Sequence, residues 1–390
     1  MIKKIFTIIA SFIIMLCLGG VYAWSIVVPE LMNKYNFSAA QSQFIFGLLI
    51  GILPLTMIFA GNVEERYGTK FIGLVSALFF FCGYIISGFS KGNFFLLIVG
   101  NGLLAGISTG FGYLAALTST IKCFPEKKGL MTGIAVSGFG LAATILSYLV
   151  DGLLRNGKDI LQIFTIIGTL YGSAIFISSF FLNAPLIKEK SQKMQLNQFL
   201  KSPDLYQLIF GFFFGTFAGL LIVGSLKPIG NQQNVSNDIL IIGVSVFAFA
   251  NFVGRIVWGF ISDIIGANLT IFLALMLQSF LIILIGILPL SNSLFIFLAT
   301  ITGFAFGGNF VLFAKETAEV FGIERMGMIY PYVSIGYALG GIFGPLTGGI
   351  LFDQFQNYFY ATCIASFISF LGATIFLIRH KIGIGIVKPN

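Results

Sequence analysis

Charge is scarce in this chain. Only 9% of its 390 residues are Asp, Glu, Lys or Arg, where soluble domains hold about 25%. With 57% hydrophobic residues, too little polar surface is left to coat a soluble globule, so the chain reads as an integral membrane protein. Histidine is nearly missing. The one copy, His380, sits in the C-terminal tail, so histidine metal sites and histidine catalysis have no material. Four cysteines, Cys17, Cys82, Cys123 and Cys363, show no paired spacing and read as small core residues, not as disulfides or metal ligands. No nucleophile–base pair, metal-ligand cluster or phosphate loop is visible, so neither an enzyme nor a bound cofactor is expected. Deep acids are lacking too. Glu30, Asp151, Glu316 and Glu319 all fall near the ends of apolar runs. That removes the usual intramembrane proton carrier and the natural partner of a cationic solute.

What is present is a series of long apolar runs, each able to cross a bilayer as a helix of about 20 residues. The short alternating strands of an outer-membrane barrel are not seen. Twelve spans can be marked, at 5–28, 40–60, 71–88, 94–121, 130–150, 160–182, 206–226, 239–261, 269–288, 294–314, 328–351 and 358–378. The first follows a short basic stretch, as a signal peptide does. Its apolar character continues to Pro29 without a clear cleavage site, so it is read as a retained span. A polar segment at 183–204 divides the chain into two six-helix bundles, 1–182 and 205–390. The fold class expected is an all-α membrane protein.

The net charge of +8 invites a nucleic-acid partner, but the basic residues sit in short loops between spans. Fifteen fall on the side shared by both termini and the central segment, and five, Lys227 among them, on the other; Arg255 and Lys315 lie inside spans. By the positive-inside rule both termini and the linker are cytoplasmic. The expectation is a multi-pass protein of the plasma (inner) membrane, monomeric, with lipid around it and no nucleic acid.

The halves repeat. Gly61, Glu65 and Gly68 recur as Gly259, Asp263 and Gly266, displaced by 198. Gly106, Gly110, Phe124, Lys128 and Ser137 recur as Gly303, Gly307, Phe321, Arg325 and Ser334, displaced by 197. A parallel six-plus-six repeat is one of the layouts used by secondary transporters.

Span 8, ILIIGVSVFAFANFVGRIVWGFI, carries a single charge, Arg255. An arginine at such depth costs about 2.5–3.5 kcal/mol on insertion scales, and intramembrane charges usually mark a pathway. Its planar fork suits a carboxylate. The reading is that Arg255 faces a central cavity and holds an anionic solute. The alternative is a structural arginine bonded to carbonyls or a neighbouring helix. Asp263 lies eight residues on, about 12 Å along the helix, too far for a direct pair.

These motifs resemble the major facilitator superfamily over essentially the whole chain. GNVEERYGTK at 61–70 is similar to its signature between spans 2 and 3, with Glu65 where aspartate is usual, and GFISDIIG at 259–266 is a weaker copy. Within that superfamily, GGVYAWSIVVPEL at 19–31, ANFVGRIVWGFISDIIG at 250–266 and FGGNFVLFAKETAEVFG at 306–322 resemble the oxalate/formate antiporter family and neighbouring monocarboxylate transporters. The resemblance implies that Arg255 binds the substrate carboxylate. Two departures stand out. Oxalate carriers place a lysine in span 11, and here that span has none. Proton-coupled monocarboxylate carriers tend to have an acid one turn before the arginine, and here it is Asn251. Both favour a monoanion moved by exchange or uniport.

The resemblance also implies a cavity lined by spans 1, 4, 7, 8, 10 and 11. Tyr22, Trp24, Tyr113, Tyr330, Tyr332 and Tyr337 fall in such spans, and a tyrosine offers an apolar wall with a hydroxyl; lipid-facing or interfacial packing is the other reading. Asn251 and Asn309 can bond substrate or another helix. Lys315 is a second anion contact or a lysine snorkelling beside Glu316 and Glu319. Lys227 attracts anions or is an ordinary loop charge. Gly61, Glu65, Arg66, Gly68, Gly259, Asp263, Gly266 and Arg325 are expected to form the cytoplasmic gate. Gly336, Gly340, Gly341, Gly344, Gly348 and Gly349 let span 11 approach its neighbours closely. The leading function is carriage of a small monocarboxylate of the formate, pyruvate or lactate type by alternating access. The alternatives are a carrier of a non-carboxylate metabolite or drug-like solute, a membrane enzyme, and a receptor-like sensor on a transporter scaffold.

Overall fold

The computed structural model describes residues 2–123, 128–183 and 202–382. Most of the linker expected at 183–204 therefore lies outside the described residues, as do the side chains of Lys128 and Arg325 and the whole of Phe124. The regular elements among the described residues are all helices, and the chain divides into two compact units, Met1–Lys190 and Ser191–Asn390.

Unit 1 begins with α1 (Ile2–Leu18), which tightens into a 3₁₀ turn at Gly19–Ala23 and continues as α2 (Trp24–Tyr35). The tightening coincides with a close approach: a Cβ on Gly19 would stand 2.2 Å from the Phe139 carbonyl oxygen. After Asn36 in the left-handed region, Ser38 and Gln41 form a capping box that starts α3 (Ala39–Gly88). This 50-residue helix holds two of the expected spans. Its backbone leaves the helical region at Gly68, φ 83°, ψ 168°, a conformation that glycine enters without steric cost. α4 (Phe94–Leu97) follows, then a π-helix at Ile98–Leu104, then α5 (Ala105–Cys123), α6 (Lys128–Arg155) and α7 (Ile160–Ser179).

Unit 2 consists of α8 (Pro203–Gln232), α9 (Asn237–Ile265), α10 (Ala267–Ile287), α11 (Asn292–Phe321), α12 (Ile323–Phe355) and α13 (Phe359–Ile382). Among the described residues eleven helical runs are long and apolar enough to cross a membrane. With α3 counted twice they give twelve crossings. Large apolar side chains such as Phe59, Phe95, Phe260 and Phe367 stand exposed on these helices, as lipid-facing positions do. Lys227 corrects an expectation. It is not a loop charge but a buried residue inside α8.

The repeat seen in sequence is a repeat of contacts. In unit 1, Cβ atoms at Gly106 and Gly110 would meet the carbonyl oxygens of Leu49 and Leu53 at 2.9 and 2.7 Å. In unit 2, those at Gly303 and Gly307 would meet the oxygens of Phe247 and Asn251, both at 2.3 Å. Gly266 has the same backbone as its counterpart Gly68, with φ 84° and ψ 151°. In the Gly-rich α12, Gly336 and Gly344 lie against the carbonyls of Ile209 and Phe217 on α8, so this stripe is a helix–helix contact.

Candidate anion site

α9 and α11 touch backbone to backbone at the level of Arg255. Gly254 of α9 would bring a Cβ within 2.2 Å of the Phe304 oxygen, and Gly307 of α11 sits against Asn251. The arginine stem has no room between the helices, and the guanidinium lies over the Phe310 ring of α11, 4.5 Å from its centroid, a cation–π contact. One turn earlier on the same face, Asn251 Oδ1 accepts a hydrogen bond from Arg255 Nε at 3.2 Å.

That bond orients the Asn251 amide. The oxygen faces the arginine, and Nδ2, on a side chain only 1% exposed, has no partner among the described residues. Arg255 itself is half-buried, and no ion pair to it is found among the described residues. The polar atoms left unpaired here are all donors, the two Nη groups and Asn251 Nδ2. Such a set can receive an acceptor, above all an anion.

Beneath the guanidinium the floor is aromatic. Phe310 stands edge-on to Phe306 and Tyr337, each at 5.3 Å, and to Phe212 at 6.2 Å. Tyr337 thus shares Phe310 with the arginine. Tyr330 and Tyr332 lie on the same helix, half-buried; Tyr330 is about 10 Å further toward its start at 1.5 Å per residue. Unit 1 holds a related arrangement without an arginine, in which Tyr113 and Tyr22 both stand edge-on to Phe139, at 5.7 and 5.5 Å.

Two expected contacts are occupied elsewhere. Asn309 Nδ2 donates to Gln278 Oε1 at 3.0 Å, and Gln278 Nε2 donates to the Gly215 oxygen at 2.9 Å. Its amide joins α8, α10 and α11 in a buried network, the helix-bonding alternative. Trp24 Nε1 donates to the Ser42 oxygen at 3.0 Å, and its ring stacks between Phe46 and Phe164. At 5% exposure it belongs to the core of unit 1.

Charges where α3 meets α5 and where α9 meets α11 form ion pairs in both units. Lys122, at the end of α5, pairs with Glu64 at 2.6 Å, and Lys315 of α11 pairs with Asp263 and, at 3.8 Å, with Glu319, and donates to Ser262 Oγ. Lys315 is therefore engaged by acids and is not a second anion contact. In unit 1 the partner is Glu64; the neighbouring Glu65, expected at the gate, is exposed like Arg66 and makes no ion pair among the described residues. Periodicity marks Glu64: it continues the buried stripe Leu53, Thr56, Ala60 at helical spacing. Gly61 and Gly259 have open space or only Val311 beside them. Lys227 lies about 7 Å from the end of α8 and Arg255 about 27 Å from the start of α9 at 1.5 Å per residue. Some 20 Å of depth separates them, so one small solute cannot touch both.

A model of the Major Facilitator Superfamily matches residues 8–314 and, in a second match, 221–385. The oxalate:formate antiporter of Oxalobacter formigenes is 26% identical over 389 residues, covering 96% of this chain and 91% of its own. The MFS-type transporter YhjX of Escherichia coli K12 is 28% identical over 345 residues, 86% of this chain and 85% of its own. Among solved structures, a bacterial homologue of the human lysosomal transporter Spinster, inward-facing and unoccupied, aligns with a TM-score of 0.75 at 14% identity, covering 96% of this chain and 98% of the other.

Proposed function

We propose that this chain, which belongs to the Major Facilitator Superfamily, carries a small organic monoanion whose carboxylate is held by Arg255. Membership makes it a multi-pass membrane transporter and not an enzyme. The observation that carries the substrate class is the donor-only cluster of Arg255 and Asn251, with no acid paired to the guanidinium among the described residues. A guanidinium fork receives a carboxylate through two parallel N–H···O bonds. The aromatic floor of Phe310 and Tyr337 suits a short apolar remainder, as in formate, pyruvate or lactate.

One fixed charge at this depth matches one negative charge on the solute. A dicarboxylate needs a second cation, and Lys315 is taken up by Asp263 while Lys227 lies about 20 Å away. A relative at 26% identity is named for two carboxylates, oxalate and formate, which supports the anion class. An amide at Asn251 in place of an acid leaves no proton carrier paired with the arginine among the described residues. The cycle is thus anion exchange or uniport by alternating access, with both termini on the cytoplasmic side of the plasma (inner) membrane. Within unit 1, Tyr22 and Tyr113 around Phe139 form the aromatic wall proposed to meet solute, and the Glu64–Lys122 and Lys315–Asp263 pairs belong to the cytoplasmic gate.

The test is uptake into proteoliposomes from a panel of formate, pyruvate, lactate, oxalate and a cationic control. Saturable uptake of one or more monocarboxylates over oxalate is expected. Preference for oxalate, or for the cation, refutes the reading.

A further inference from the structure

The repeat slips by one residue at a single place. Gly61, Gly68 and their counterparts are 198 apart. So are Gly88 and Gly286, each of which would bring a Cβ within about 2 Å of a threonine hydroxyl, Thr165 or Thr362. So are the helix caps Asn93 and Ser291, whose side chains accept from Leu96 N and Leu294 N. From Gly106 and Gly110 the displacement is 197, and the contacts of these glycines match those of Gly303 and Gly307. Unit 1 therefore carries one extra residue between positions 93 and 106. No loop lies in that interval. α4 runs directly into the π-helix Ile98–Leu104 and on into α5, whereas α11 is an uninterrupted α-helix. A π-turn is what one surplus residue makes of an α-helix, and such turns gather at functional sites.

At its centre is Asn101. It is 1% exposed, and neither Oδ1 nor Nδ2 has a partner among the described residues. Its neighbours touch α3 on two sides. A Cβ on Gly100 would stand 2.2 Å from Ser87 Oγ, and one on Gly102 2.9 Å from Leu48 Cδ2. Asn101 stands between the two glycines in the chain, about 100° round the helix from each of their contacts. The Ser87 hydroxyl, fully buried, is likewise unpartnered. Buried polar groups of this kind are almost always satisfied by protein or ordered water. Donors and acceptors remain here in mixture, and all are neutral. Water answers both; an anion or a cation answers only half.

We infer that Ile98–Leu104 is a hydrated joint: the inserted residue holds Asn101 and Ser87 around buried water, and the π-turn lets α5 change register against α3. Gly100 and Gly102 present no side chain to α3, so the segment can turn without a clash. Bonds to water re-pair more readily than bonds to a neighbouring helix. Among the described residues unit 2 has no equivalent, so the joint is a feature of unit 1 there.

Hydrogen exchange on the intact protein in nanodiscs tests this without any transported solute. Amides at 98–104 are expected to exchange at least tenfold faster than those at 295–301, their counterparts in α11. Equal protection overturns the inference. Deleting Asn101 restores the 197 register, and exchange at the segment is expected to fall to the level of α11; exchange that stays fast overturns the insertion. Should the deletion variant not fold, Asn101→Val keeps the chain length and removes the groups that hold water. Its exchange at 98–104 is expected to slow at least threefold, and no change overturns the role of hydration.

Discussion

Replacing Asn251 by aspartate places a carboxylate where an amide oxygen now accepts from Arg255 Nε at 3.2 Å. Two unit charges at that separation attract by about 5 kcal/mol at an effective dielectric of about 20. Arg255 is half-buried, so screening lowers this, and about 2 kcal/mol is a fair floor. An incoming monoanion then competes with a resident carboxylate for the same fork. About 2 kcal/mol corresponds to a roughly 30-fold rise in apparent Kd at neutral pH. The guanidinium that attracts the introduced carboxylate also keeps it ionised from pH 8 to 5.5, so the loss of affinity is expected to persist unrelieved across that window. The parent, with no acid paired to Arg255 among the described residues, is expected to stay flat over the same window. Uptake of labelled monocarboxylate into proteoliposomes, buffered equally on both sides, reads both quantities. A variant with parental affinity, or one whose loss disappears by pH 5.5, would refute the account of Asn251 and Arg255 as one site.

Other predictions concern stability. Lys122→Ala strips the partner from Glu64, whose side chain is 7% exposed; an unpaired buried carboxylate costs about 3 kcal/mol, so a lowered thermal-shift midpoint is expected, while Glu65→Gln leaves it unchanged. Asn309→Leu orphans Gln278 Oε1 in the buried network and should cost about 1–3 kcal/mol, seen as a lower midpoint with KM unaltered; a raised KM would return Asn309 to the substrate. Gly307→Ala drives a Cβ to 2.3 Å from the Asn251 oxygen and should lower the midpoint and uptake together, whereas Gly259→Ala, with Val311 at 3.6 Å, should be silent in the midpoint.

Much of this is legible in the amino-acid sequence. A 23-residue apolar run with one charge exposes Arg255 without further help, because the bilayer makes every buried charge conspicuous. The duplicated glycines at 68 and 266 were visible as spacing, and their shared positive φ explains why both are glycine. Trp24 and Asn309 read differently because a residue's type says what it can bond, not what stands opposite. Ser42 and Gln278 lie 18 and 31 residues away from them in the chain. Glu64 and Glu65 are chemically almost alike, and only the buried face of the helix separates them. The π-turn at Asn101 left one trace, a displacement of 198 that became 197, and its location needed the caps at Asn93 and Ser291.

The central claim is that the Arg255 fork holds the solute's carboxylate. Counterflow of labelled monocarboxylate, measured for the parent, Arg255→Lys and Arg255→Ala at equal protein density, tests it most directly. Loss of a charged partner from a partly desolvated pair costs about 2–3 kcal/mol, so Arg255→Ala is expected to lose roughly 30- to 150-fold. Arg255→Lys, which keeps the charge without the fork, should fall between the two. Counterflow by Arg255→Ala at the parental rate, in a protein of unchanged thermal midpoint, would contradict the claim.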